Sequence, residues 1–215
     1  MSRIELIQVV MPLCLLALVP GAPARAEDGD AEPSAEAAPE AGAAKVGEAA
    51  PELELKDLAG ETHTLAAHKG KVIVIEWVAP DCPYVAKQHE QGTIKALRAK
   101  YEERGVVWLA VASRGAAKPE ALKPKVEAWG LGVPVLLDAD GAVARRYGAE
   151  RTPHVFVIDG EGKLRYSGAV EDEIAADDAA APKAGTNYVE RALDAIFAGQ
   201  PVEPATTKAY GCPIE

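Results

Sequence analysis

The chain has 215 residues, 48% of them hydrophobic, and a formal net charge of -10. That length accommodates one domain of roughly 150 residues plus extensions, large enough to fold without a metal or disulfide scaffold. The acidic balance argues against nucleic-acid binding, which needs clustered Lys and Arg to neutralise phosphates. Cys14, Cys82 and Cys212 are too few for a disulfide framework, so each is judged by its position.

The first segment reads as a signal peptide over residues 1–26. Arg3 supplies a positive start, Ile7 to Val19 an apolar run, and Ala24 and Ala26 a small-x-small cleavage site. The apolar run is short for a membrane span, so the expectation is export, periplasmic or secreted, with no stable span after cleavage. An uncleaved anchor is the alternative. Cys14 lies in the apolar run and would leave with it. Residues 27–45 contain Ala, Glu, Pro and Gly but no large apolar side chain. Nothing there offsets the entropy of ordering, which implies a disordered acidic linker.

A domain is expected over 46–215. LELKDLAGETHTL alternates around Ala59-Gly60 as an N-terminal β-hairpin does. KVIVIEWV, Lys71 to Val78, is a nearly continuous β-branched run that suits a strand buried on both faces. Helical spacing from Tyr84 to Glu103 predicts one helix, ended by Gly105. Val106 to Ala112 and Val133 to Leu137 predict further strands, with helices at Ala121 to Trp129 and Val143 to Tyr147. His154 to Asp159 and Leu164 to Ser167 flank Gly160-Glu161-Gly162 as a hairpin. Glu171 to Thr186 reads as an acidic loop. The last helix falls within 187–199 and is closed by Gly199, followed by a tail, 200–215, that carries Cys212. Strand–helix–strand units followed by a hairpin and a helix imply an α/β fold with a mixed central sheet flanked by helices.

Cys82 lies where a buried strand hands over to a helix, with Pro83 at a first-turn position that tolerates its missing N–H. Thiol chemistry runs through the thiolate, and a helix N-terminus favours that form through its unpaired amides and dipole. An inert buried cysteine is the competing reading.

KGKVIVIEWVAPDCPYVAKQH, YEERGVVWLAVAS, RYGAERTPHVFVIDGEGKLRYSGAVED and TKAYGCPI each resemble redoxins. They are closest to the exported, thioredoxin-like branch of the alkyl hydroperoxide reductase and thiol-specific antioxidant superfamily. The resemblance implies a thioredoxin-like fold with an N-terminal β-hairpin extension. It assigns Cys82 as nucleophile and Pro153 as the cis-proline facing it, with the backbone of Thr152 aimed at the sulfur. From spacing alone, Pro153 also fits an ordinary trans-proline at a strand start. Two positions depart from the family pattern. A thioredoxin-type dithiol has its second cysteine three residues after the first, where this chain has Val85. A peroxidatic cysteine follows Thr or Ser by three positions and Pro by seven, where this chain has Ala79 and Ile75.

Cys212 is the remaining candidate partner. An extended segment from Gly199 spans up to roughly 46 Å, so reach is no obstacle, and a free or intermolecular thiol is the alternative. Glu76 is a carboxylate in an otherwise apolar strand six residues before Cys82. Burial would make it a proton acceptor, whereas a Lys or backbone partner at a sheet edge would make it structural. The leading expectation is a thiol–disulfide oxidoreductase using Cys82, Cys212, Pro153, Thr152 and Glu76. Its partners are a protein disulfide or peroxide substrate and an external thiol reductant, with no cofactor. The alternatives are a peroxide-reducing antioxidant and a non-catalytic binding or copper-delivery module using Cys82, His154 and a carboxylate.

Overall fold

A computed structural model of the chain describes residues 43–172 and 185–215. The expected signal peptide and nearly all of the linker, with the centre of the acidic loop, lie outside the described residues.

A short antiparallel hairpin comes first, β1 (Glu54–Lys56) with β2 (Thr62–Thr64). Five strands make the central sheet: β3 (Ile73–Trp77), β4 (Val107–Ser113), β5 (Val135–Asp138), β7 (His154–Ile158) and β8 (Leu164–Gly168). Their order is β5-β4-β3-β7-β8. β3, β4 and β5 run parallel, while β7 is antiparallel to both β3 and β8, so the sheet is mixed. Two short strands, β6 (Arg151–Thr152) and β9 (Cys212–Pro213), pair with each other outside this sheet.

β3 is central, and all five of its residues are buried. Strand alternation sends Ile73, Ile75 and Trp77 to one face, where they pack with Leu109, Val111, Tyr147 and Phe156. Val72 and Val74 face the other way, onto Ile94, Leu97, Tyr101, Val189 and Leu193 of the covering helices. This two-sided burial explains the unbroken apolar run in the sequence.

The single helix expected over 84–103 is two helices, α1 (Pro83–Glu90) and α2 (Thr93–Tyr101). Gly92 joins them with φ 76°, a left-handed conformation that is inexpensive only for glycine. α1 buries Val85, Gln88 and His89, whereas α2 buries Ile94, Leu97 and Tyr101. The step from His89 to Ile94 breaks helical spacing, and the kink turns the second apolar face back onto the sheet. The other helices are α3 (Pro119–Ala128), α4 (Ala142–Tyr147) and α5 (Tyr188–Phe197). Each falls within two residues of its expected position.

A buried polar chain ties the strand ends beneath the site. Trp77 Nε1 donates to Ser113 Oγ at 3.0 Å, and Ser113 donates to Asp138 Oδ2 at 2.6 Å. Asp138 accepts the Val143 and Ala144 amides at the start of α4. Each polar group in the chain has a partner, so the ends of β3, β4 and β5 are fixed without an orphan.

Candidate thiol site

Cys82 is the N-cap of α1, with extended backbone (φ -82°, ψ 116°), and Pro83 follows in the first turn. Its carbonyl already accepts the Ala86 amide at 3.0 Å, so the sulfur sits where helix hydrogen bonding begins. The Thr152-Pro153 peptide is cis. The Cys82 thiol donates to the Thr152 carbonyl at 3.0 Å.

The tail brings the second sulfur. β9 is antiparallel to β6, with Cys212 opposite Thr152 and Pro213 opposite Arg151. Arg151 Nη1 donates to Gly211 O at 2.9 Å, and the Ile214 amide donates to Glu150 O at 3.0 Å. Upstream, Thr207 pairs its amide with Ser167 O, and its hydroxyl accepts the Ala169 amide. Tyr210 stacks edge-on against Tyr84 at 5.7 Å, and its hydroxyl accepts from Gln88 Nε2 at 3.0 Å. The tail is therefore docked along its length.

Both cysteines are free thiols, and each sulfur acts on the ionisation of the other. Burial pushes the Cys82 thiol up, but hydrogen bonds with Cys212 and Thr152 and the amides of Val85 and Cys212 outweigh it. The net pKa lies below the ordinary thiol value. The Thr152 hydroxyl is buried without another partner of good geometry. It is thus available to a thiolate. For Cys212, burial and the Cys82 sulfur push the pKa up to about 12. Of the two thiols, Cys82 is the one favoured to ionise.

Cys82, Cys212, Thr152 and Pro153 are thus gathered at one point. Glu76 is not among the groups that act most strongly on Cys82. It is buried in the central strand, not at a sheet edge, and its Oε1 lies 3.3 Å from His89 Nε2 without hydrogen-bond alignment. The His89 ring stacks on Trp129 at 5.1 Å. The expected Lys or backbone partner is replaced by this imidazole, because α1 lays His89 over β3. His154 lies in β7, with Nε2 3.2 Å from Ser167 Oγ and its ring stacked on Phe156 at 4.4 Å. Burial lowers its pKa to about 4.

Among the described residues, the one group of three His, Cys or acidic side chains with ligand atoms within 4.8 Å is Asp57, Glu61 and His63. That group belongs to the β1–β2 hairpin, where Asp57 Oδ1 accepts the Ala59 and Glu61 amides of the turn. The copper set of Cys82, His154 and a carboxylate is not assembled. Residues that sequence reasoning missed are Gln88, Tyr84, Arg151, Tyr210 and Gly211, which hold the tail. Gly211 beside Cys212 was the available signal, since a glycine before a functional residue often marks close backbone approach.

A sulfur at a helix start, beneath a cis-proline peptide and on a mixed α/β sheet, defines a thioredoxin-like thiol redox protein. The Redoxin family model matches residues 45–183. The chain belongs to the Redoxin family. Cys212 lies beyond the matched stretch. The thiol-disulfide oxidoreductase ResA of Geobacillus thermodenitrificans is 31% identical over 124 residues, 57% of this chain and 68% of that protein. An uncharacterized conserved protein from Geobacillus kaustophilus superposes with TM-score 0.70 at 28% identity, covering 80% of this chain and 92% of its own. A hypothetical protein from Sinorhizobium meliloti gives TM-score 0.69 at 28% identity, covering 79% and 93%.

Proposed function

We propose that the protein is an exported thiol–disulfide oxidoreductase in which Cys82 attacks and Cys212 resolves. The single observation that carries this reading is that Thr152 meets both cysteines, paired with Cys212 across the β6–β9 register and accepting from the Cys82 thiol at its carbonyl. The Cys82 thiolate attacks one sulfur of a partner disulfide, forming a mixed disulfide and releasing the other sulfur as a thiolate, which takes a proton. Cys212 then loses its proton and attacks Cys82. That forms the Cys82-to-Cys212 bond and releases the second partner thiol. The partner gains two electrons, and the protein is left as an intramolecular disulfide. An external thiol returns it to the dithiol.

Discharge of Cys82 in the mixed disulfide removes the negative sulfur that helps hold Cys212 protonated, so the resolving thiol ionises more readily at that stage. Glu76 is proposed as a buried carboxylate that positions α1 behind Cys82, its Oε1 3.3 Å from His89 of that helix. The N-terminal segment supports export to a compartment where disulfides persist. Among the described residues, no helix is long and apolar enough to cross a membrane.

The test is to mix reduced protein with a small aromatic disulfide and follow release of the leaving thiol. Wild type releases two equivalents in sequence. Cys212→Ser releases one and keeps a mass adduct on Cys82, and Cys82→Ser loses the rapid phase. Rapid release from Cys82→Ser at the wild-type rate refutes the assignment.

A further inference from the structure

Cys82 is only 2% exposed, and part of what covers it is the protein's own tail. β6 is a two-residue edge whose strand partner is β9. Without β9, Arg151 and Thr152 would present unpaired backbone groups beside the sulfur, the feature by which an extended peptide adds to a sheet edge. The place where a partner's strand would lie is already filled.

The filling segment is fitted closely. Gly211 has φ 106°, a conformation that side chains resist. A Cβ at 211 would overlap the Thr152 carbonyl oxygen and approach Pro153 Cδ to 3.2 Å. A foreign strand in this register therefore needs glycine immediately before its cysteine, or must sit further out. Gly168 receives Thr207 just as closely, since a Cβ there would collide with the Thr207 side chain and backbone. A cavity of about 290 Å³ is lined by both cysteines, together with Val78, Pro80, Ala116 and Ile214.

We propose that the Tyr210–Ile214 segment is a gate seated in the protein's own peptide-docking groove. Closed, it admits small molecules to Cys82 through the side cavity and excludes a polypeptide strand. A protein disulfide reacts only when the segment lifts, and its return presents Cys212 to the mixed disulfide. Gly211 sets the fit, and Gln88 and Tyr84 hold the latch at Tyr210. The inference rests on Cys82 being the attacking thiol.

The test uses full-length protein carrying Cys212→Ser, so that Cys82 is followed without resolution. Gly211→Ala is added to it, and a separate chain ending at residue 209 lacks the whole segment, position 212 included, with thermal melting as a check on the fold. Alkylation of Cys82 by iodoacetamide and by a bulky polyethylene-glycol maleimide is timed by mass. The gate predicts that the bulky reagent reacts about tenfold faster in both added variants, as the open fraction rises, with the iodoacetamide rate changed by less than about threefold. Equal bulky-reagent rates in all three proteins overturn the gate while leaving Cys82 reactive. A Cys82 inert to iodoacetamide in every protein overturns the nucleophile assignment and the gate with it.

Discussion

The two sulfurs are positioned by opposite means. Cys82 is placed by the core: β3 is buried on both faces, α1 packs Val85 beneath the thiol, and the loop between them is short. Cys212 is placed mainly by hydrogen bonds and ring contacts, with Val202 and Tyr210 buried in its segment and Cys212 and Ile214 half-buried against the core. In the proposed exchange, the core-held thiol stays fixed while the tail-held one lifts and returns.

That contrast is broken most severely from the core side. Trp77→Ala empties the space against Tyr147 and Phe156 and removes the donor to Ser113. It should cost about 3–5 kcal/mol in the denaturant midpoint and loosen both sulfurs together. A cost below about 1 kcal/mol would show that the β3 side is not what holds Cys82.

His154 joins the two regions, since it follows Pro153 and faces Ser167, whose backbone pairs with the tail. Burial holds its pKa near about 4 in the folded chain, while the unfolded chain takes up the proton near 6.5. The stability it contributes is present above pH 6.5 and is lost as pH falls toward 4, by roughly 3 kcal/mol. Denaturant titrations should show that slope, and His154→Asn should flatten it.

Smaller effects belong to the tail alone. Thr207→Val removes the acceptor of the Ala169 amide and a partner of the Tyr166 hydroxyl. It should cost about 1–3 kcal/mol, read as faster amide exchange over 204–214 with α1 unchanged. Gln88→Ala deletes the donor to Tyr210 and should weaken the latch by about 1 kcal/mol, read in the same experiment.

The core-held half was legible in the sequence, and much of the tail-held half was not. A β-branched run followed by Cys82-Pro83 announces a buried strand and a helix start through local periodicity and the missing proline amide. The kink at Gly92 was hidden because a single glycine inside a helical pattern is usually tolerated. The histidine facing Glu76 was hidden because the pairing depends on how α1 lies across β3. The β6–β9 pair joins segments about 60 residues apart through two residues each, too short for alternation to register. Its one local trace was the glycine before Cys212.

The most direct measurement is a peptide map of the full-length protein after mild air oxidation, run without reductant. The account predicts a cross-linked peptide that joins Cys82 to Cys212, formed within one chain and absent after reduction. Cys82 and Cys212 recovered as free thiols, or bridged only between chains, would contradict it.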